Sequence, residues 1–249
     1  MSDTTLILPF DWLTPDWPAP AHVRACVTTC SAGGSVEPFA AFNLGDHVGD
    51  SPAQVQANRQ YLVDALGCQP SWLNQVHSDR VVIADAEQIL SADASVTREL
   101  GLACCIMSAD CLPVLFTDQV GSCVAAAHAG WRSLAAGILE NTVASMQVAP
   151  QQLMAWLGPA IGAAVFEVGG EVRNAFIQNN PSAAQAFVSS YNDGRWLADI
   201  YQLARIRLAA CGVTAVYGGG LCTVTDSRFY SYRRQAVTGR FASLVWMTE

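Results

Sequence analysis

The chain has 249 residues, 51% of them hydrophobic and 14% charged, with a formal net charge of −8. That length and apolar content exclude a disordered chain and support one large core or two small ones. The acidic balance, with no basic stripe, disfavours nucleic acid as a partner because phosphate would be repelled.

The opening Met1-Ser-Asp-Thr-Thr has no basic region ahead of Leu6 to Phe10, so no secretory leader is expected. His22 to Thr29 reads as the first strand. Ser51-Pro52 is an N-cap followed by proline at the first helical position, and Gly67 closes that helix after Leu66. Ser71 to Val76, Arg80 to Ala84, Leu102 to Met107, Leu112 to Phe116 and Ser122 to Ala127 follow as strands, bounded by Gly, Pro or Asp. Ser133 to Met146 carries Leu134, Ile138, Leu139 and Val143 at helical spacing. Leu153 to Leu157 returns to strand. Gly169-Gly170 leads into a helix from Glu171 to Gln178, and Asp199 caps one from Ile200 to Ala210 that ends at Gly212. Val213 to Tyr217 and Phe241 to Met247 close the series as strands.

Strands and helices interleave, which predicts an α/β (α+β) protein. Without a linker, repeat or charge block, one domain over residues 1–249 is expected. The most apolar stretch, Gly101 to Phe116, is broken by Asp110 and is shorter than the roughly 18–20 residues a membrane span needs, so no membrane partner is expected.

Residue counts narrow the chemistry. All 13 basic residues are arginine. Without lysine there is no Schiff base, no pyridoxal-phosphate anchor and no P-loop lysine. The four histidines are His22, His47, His77 and His128. A blue-copper centre takes two histidines and a cysteine. The remaining two are too few for a three-copper cluster, so an ordinary multicopper oxidase is excluded. The nine cysteines are odd in number and irregular in spacing, with Cys104 and Cys105 adjacent. That is no disulfide framework, and it points to a reducing, cytoplasmic compartment.

Three polar breaks in apolar strands stand out. Asn74-Gln75-Val76-His77 ends a strand and lifts His77 onto a loop, where a plain surface histidine is the bland alternative. Ser108-Ala109-Asp110-Cys111-Leu112-Pro113 sets a carboxylate beside a cysteine at a strand break. A buried Asp is costly unless it is paired, whereas a lone cysteine is commonly core. Ala125-Ala126-Ala127-His128-Ala129-Gly130-Trp131-Arg132 delivers His128 to a turn that opens a helix. Helix N-termini attract anions, and the Arg132 fork suits phosphate or carboxylate. Close packing around Trp131 with a solvated Arg132 is the alternative. Two histidines and a cysteine could form a three-ligand zinc site with an open position. Two later segments are placed as well: the turn Leu157-Gly158-Pro159-Ala160-Ile161-Gly162, and Phe229-Tyr230-Ser231-Tyr232-Arg233-Arg234. The second could hold a flat ring and an anion, or be an edge strand with a solvated basic end.

These motifs, in this order, resemble the bacterial YfiH family, also called the laccase-domain or polyphenol oxidase family. The residues that carry the resemblance are Gln75-Val76-His77, Ala109 to Pro113, His128 to Arg132, Leu157 to Gly162, Phe166-Glu167-Val168-Gly169 and Ser231 to Arg234. Asn43-Leu44-Gly45 and Asn58-Arg59 resemble its N-terminal motifs, so the likeness runs from about Phe42 to Trp246. It implies zinc on His77, Cys111 and His128, with copper as the alternative metal. It implies purine nucleoside phosphorylase activity on adenosine, inosine and methylthioadenosine, with adenosine deaminase activity beside it. Substrate contacts would come from Asn43, Arg59, Arg132 and Arg233. The implied fold is a single-domain layered α/β sandwich resembling the catalytic domain of cytotoxic-necrotising-factor toxins. A monomer or small homo-oligomer acting on small molecules is expected. Ser78, Ser133 and Gln235 stand where the family usually has Gly, Gly and Asp.

Deamination asks for a general acid/base carboxylate, for which Asp110, Glu167 and Glu171 are the candidates. Three other readings stand beside phosphorolysis. Cys111 could be the nucleophile of a metal-free hydrolase, with His128 or His77 as base and peptidoglycan precursors as substrates. Copper on the same residues could oxidise phenols. The chain could also be a non-enzymatic binding module.

Overall fold

A computed structural model describes residues 11–249. The opening segment Met1 to Phe10, read above for a leader, lies outside the described residues. Two sheets stack face to face. The first has four strands in the order Val23–Val27, Phe241–Met247, Leu102–Ser108, Gln69–Ser71. The second has six, in the order Ala215–Gly218, Leu153–Leu157, Leu112–Asp118, Val124–Ala129, Ala94–Thr97, Val81–Ile83. Most neighbours are antiparallel; Gln69–Ser71, Ala215–Gly218 and Val81–Ile83 pair in parallel.

The strand patterns explain the layering. Leu102–Ser108, Leu112–Asp118 and Val124–Ala129 are buried at every position. A strand enclosed on both faces reads as a near-continuous apolar run rather than an alternating one. Ile106, Leu115, Val124, Trp156 and Phe241 pack between the two sheets. The outer face of the six-stranded sheet is covered by the helices Ile138–Met146 and Ile200–Ala210, through Leu139, Val143 and Leu203. Pro52–Leu66 covers the other sheet, setting Leu62 and Leu66 against Cys105 and Trp246. Enclosing each large apolar side chain stabilises by about 1.5–3 kcal/mol, and three such layers hold the sheets together. The result is a mixed α/β fold of helix, sheet, sheet and helix. A smaller sheet, Glu167–Gly169, Arg195–Ala198 and Phe187–Ser189, lies beyond it. Among the described residues no helix is long and apolar enough to cross a membrane.

Several elements match their sequence patterns to the residue: Pro52–Leu66 with Gly67 in left-handed conformation, Ile200–Ala210, Leu153–Leu157 and Phe241–Met247. Asp199 caps as expected, accepting the Gln202 N–H at 2.9 Å. Ser51 does not cap through its side chain; Asp50 Oδ1 accepts its N–H instead. The long helix expected from Ser133 to Met146 is two helices, Trp131–Ala136 and Ile138–Met146. Gly137 divides them at φ +110°, a left-handed conformation that ends the first helix. The strand expected over Ser71 to Val76 is split into Gln69–Ser71 and Leu73–Asn74, which join different sheets. Phe229 to Arg234 forms turns, not an edge strand.

Candidate metal centre and cavity

Register brings the three motifs together. Leu112–Asp118 and Val124–Ala129 pair antiparallel, with Leu112 opposite Ala129 and Pro113 opposite His128. The start of one strand therefore lies beside the end of the other, and Cys111 reaches His128 across 17 residues of sequence. Ala94 stands opposite Ala127, so Asp93 is the next pair along and its carbonyl accepts the His128 amide at 2.7 Å. The loop carrying His77 folds over the Asp93 carboxylate. Val76, His77 and Ser78 donate their backbone N–H groups to it, and Ser78 adds its hydroxyl. The Ser78 hydroxyl is thus a donor that glycine at this position would lack.

The donor atoms of His77, Cys111 and His128 all lie within 4.8 Å of one another. Cys111 Sγ is 3.8 Å from His77 Nε2, and the two imidazole rings meet edge to face at 4.8 Å between centroids. Zinc bonds of about 2.0–2.3 Å at tetrahedral angles would space neighbouring donors roughly 3.3–3.6 Å apart, so this group is of the right size for one metal ion. Its chemistry also fits, because two imidazoles and a thiolate suit zinc or copper. Among the described residues no fourth His, Cys, Asp or Glu joins the group; three protein ligands are the number that catalytic zinc sites use. His22 is elsewhere, bonded to Gly121 O at 3.0 Å.

The surroundings prepare these ligands. His128 Nδ1 faces Asp93 Oδ1 at 2.8 Å. A carboxylate can only accept, so Nδ1 carries the proton and Nε2 is left for the site. Burial alone would raise the Cys111 thiol, but His128 and His77 pull it down to about 6. Burial alone would lower His128, but the Cys111 thiolate and Asp93 lift it to about 9. Without metal the pair therefore favours thiolate beside imidazolium, a state that suits a nucleophilic reaction; a metal would take the thiolate and neutral imidazole, releasing the His128 Nε2 proton. Gly130 allows the close approach: a Cβ there would lie 3.0 Å from both Cys111 Sγ and His77 Cδ2.

Backbone strain marks two corners. His77 has φ +59° and Asp110 φ +101°, values that side-chain-bearing residues rarely adopt. Asp110 stands where the chain crosses from one sheet to the other. Its Oδ1 accepts the Thr223 hydroxyl at 2.5 Å and its Oδ2 the Arg233 N–H at 2.6 Å.

A cavity of about 430 Å³ opens over the three donors, within the range of small-molecule sites. Trp131, Phe166 and Tyr232 contribute aromatic walls; Arg132, Arg233 and Arg240 contribute charge. Of the arginines expected to contact substrate, Arg132 and Arg233 line the cavity. Arg59 does not. It pairs with Asp46 at 3.3 Å, donates to Leu44 O and lies over Trp72, in an adjoining recess that shares His47 and Gln75 with the cavity. Asn43 is fully buried and lines neither; its side chain is bonded within the chain to Gly45, Asp50 and Arg240. Asp110 is the carboxylate of the cavity wall, and neither Glu167 nor Glu171 lines it. Glu167 is held low by Ser190 and Asn192, which bond to it. Asp93 and Arg240 escaped the sequence reading. Their only signals are an acid alone in Ala92-Asp93-Ala94 and a base directly before the last strand.

Residues 24–248 match the family described as multi-copper polyphenol oxidoreductase laccase. A purine nucleoside phosphorylase of Pseudomonas aeruginosa is 62% identical over 239 residues, covering 96% of this chain and 99% of that one. Purine nucleoside phosphorylase YfiH of Escherichia coli is 49% identical over 240 residues, covering 94% and 98%. The crystal structure of a Neisseria meningitidis protein superposes with a TM-score of 0.94 at 50% identity, covering 96% and 100%. That of YlmD from Geobacillus stearothermophilus superposes at 0.90 with 28% identity, covering 98% and 99%. Fold and site define a mixed α/β protein with a two-histidine, one-cysteine centre. The chain belongs to the YfiH, or laccase-domain, family.

Proposed function

We propose that this chain is a zinc-dependent purine nucleoside phosphorylase for adenosine, inosine and methylthioadenosine, with adenosine deamination as a side activity. One observation carries the proposal: the donors His77, Cys111 and His128 form the floor of a cavity whose walls combine aromatic rings and arginines. The names of the relatives support phosphorolysis over oxidation. The same reading treats residues 1–249 as one domain.

In the reaction an oxygen of phosphate bonds to the sugar C1′ while the C1′–N9 bond breaks. The electron pair leaves with the purine, which takes up a proton. Purine and ribose 1-phosphate result, through an oxocarbenium-like state as in glycoside cleavage. Zinc, when bound by His77, Cys111 and His128, supplies a Lewis acid beside the reacting groups. Asp93 keeps His128 in the tautomer that presents Nε2 to the site. Trp131, Phe166 and Tyr232 offer faces for a flat base. Arg132 and Arg233 add positive charge for the phosphate, and Asp110 is the acid/base group for deamination.

The test joins metal to turnover. Protein purified without added metal should carry about one zinc per chain, as catalytic zinc sites do. It should convert inosine to hypoxanthine and ribose 1-phosphate only when phosphate is present. A chelator should abolish this and zinc should restore it. Activity that survives complete metal removal but is lost in Cys111→Ser would favour the second reading, a cysteine hydrolase. The lowered Cys111 thiol and the Asp93-oriented His128 give that reading its footing.

A further inference from the structure

The three arginines that line the cavity differ in what their guanidinium groups already hold. Arg233 donates to Val165 O at 2.9 Å and Glu167 O at 3.2 Å. Arg132 is exposed and lies over Trp131, 4.4 Å from the ring centroid. Arg240 is half-buried. Its Nη1 donates to Thr238 O and Gly239 O. Its Nε and Nη2 hold no hydrogen bond, and no carboxylate pairs with it, among the described residues. Burial is the largest influence on this group and lowers its pKa.

The fold builds a seat for it. Phe241 pairs with Ser108, so Arg240 stands at the mouth of the last strand, beside the corner that carries Asp110 and Cys111. Asn43 Oδ1 accepts the Arg240 backbone N–H at 2.8 Å and the Gly45 N–H at 2.9 Å. A Cβ at Gly45 would lie 2.8 Å from Arg240 Cγ, so only glycine leaves room for the arginine stem. This explains Asn43-Leu44-Gly45, which does not reach the cavity itself. A half-buried guanidinium that lines the cavity with its Nε and Nη2 edge unused matches an oxyanion that can accept two parallel N–H bonds.

We propose that Arg240 is the residue that grips inorganic phosphate in this cavity, seated for that task by Asn43 and Gly45. The proposal rests on the phosphorolysis reading and names its anion site. The metal-loaded full chain provides the test. Arg240→Gln should raise the KM for phosphate at least about tenfold, as expected for a lost bidentate charge-assisted pair, with the KM for inosine and the bound metal little changed. Arg240→Lys should recover part of the loss, since the charge remains without the fork. Calorimetric titration with inorganic phosphate should show the same contrast without turnover.

Unchanged phosphate affinity in folded Arg240→Gln overturns the assignment and leaves the phosphorylase reading standing. Phosphate binding that depends on Arg240, in a chain that cleaves no nucleoside with phosphate, supports the anion site and overturns the phosphorylase reading. Suppose instead that inosine 5′-monophosphate binds more tightly than inosine, that Arg240→Gln removes this advantage, and that the phosphate KM is unmoved. The arginine would then serve a nucleotide's own phosphate, which overturns the proposal. Should Arg240→Gln fail to fold, Gly45→Ala, which crowds the same stem, must raise the phosphate KM, and no rise overturns it.

Discussion

Asp93 and His128 are joined twice, through Asp93 Oδ1 to Nδ1 at 2.8 Å and through the His128 amide to the Asp93 carbonyl at 2.7 Å. The same Oδ1 also accepts the His77 amide at 3.0 Å. One buried carboxylate therefore fixes two of the three candidate metal donors, one by its side chain and the other by its backbone. Desolvation pushes this carboxyl up, yet the bonds from His128 and Ser78 win and hold it below its usual value.

Replacing Asp93 by Asn should therefore weaken metal binding while leaving every donor in place. An amide accepts through one oxygen only, so either His128 and the His77 amide or the Val76 and Ser78 amides lose their partner. Loss of such an outer carboxylate typically costs about 10–100-fold in metal affinity. Competition with a chelator measures it; unchanged affinity in Asp93→Asn would show that the strands alone orient His128.

Gly130→Ala should strike the same centre from the other side. The added methyl would press on Cys111 Sγ and His77 Cδ2, each 3.0 Å away. The backbone there has φ −58°, so alanine is not strained by conformation. Metal affinity should fall about tenfold or more while the metal-free protein melts within a few degrees of the parent. A large loss of melting temperature without metal would point to packing instead.

Asp110→Asn separates the two proposed activities. Asparagine tolerates the positive φ of this corner, and its oxygen can still accept one of the bonds from Thr223 and Arg233. It cannot shuttle a proton. Adenosine deamination should drop at least about a hundredfold, the usual worth of a general acid/base group, and phosphorolysis of inosine should drop much less. Equal losses in both assays would make Asp110 an anchor for Arg233 only.

Tyr201→Phe tests the support beneath the cavity. The buried Tyr201 hydroxyl accepts the Ala160 N–H at 2.9 Å and faces the carbonyls of Gly158 at 3.1 Å and Leu221 at 2.5 Å. It ties the turn before Ile161 to the segment that leads to the cavity arginines. Removing it strands buried backbone groups, which costs roughly 1–3 kcal/mol. For a chain of this length that is a fall of about 2–12 °C in melting temperature. An unchanged melting curve would mean that water replaces the hydroxyl.

Much of this protein was legible in its sequence. Composition excluded lysine chemistry and a multicopper cluster, because those need residues the chain lacks or has too few of. Apolar runs and caps placed Leu153–Leu157, Phe241–Met247, Pro52–Leu66 and Ile200–Ala210, because local periodicity and capping are read from neighbours in sequence. His77, Cys111 and His128 stood out because each is a polar break in an apolar strand.

The tertiary structure alone decided how those pieces meet. Antiparallel register set Cys111 beside His128, and parallel pairing of Val81–Ile83 with Ala94–Thr97 carried the His77 loop over Asp93. Asp93 and Arg240 are unremarkable in sequence, one acid among alanines and one base before a strand. They matter through partners 35 and 197 residues away, His128 and Asn43. Conversely Asn43, which looked like a substrate contact, is a buried brace. Which strands become neighbours is settled by packing between segments far apart in the chain, so partners such as Asp93 with His128 and Asn43 with Arg240 are not read from contiguous residues.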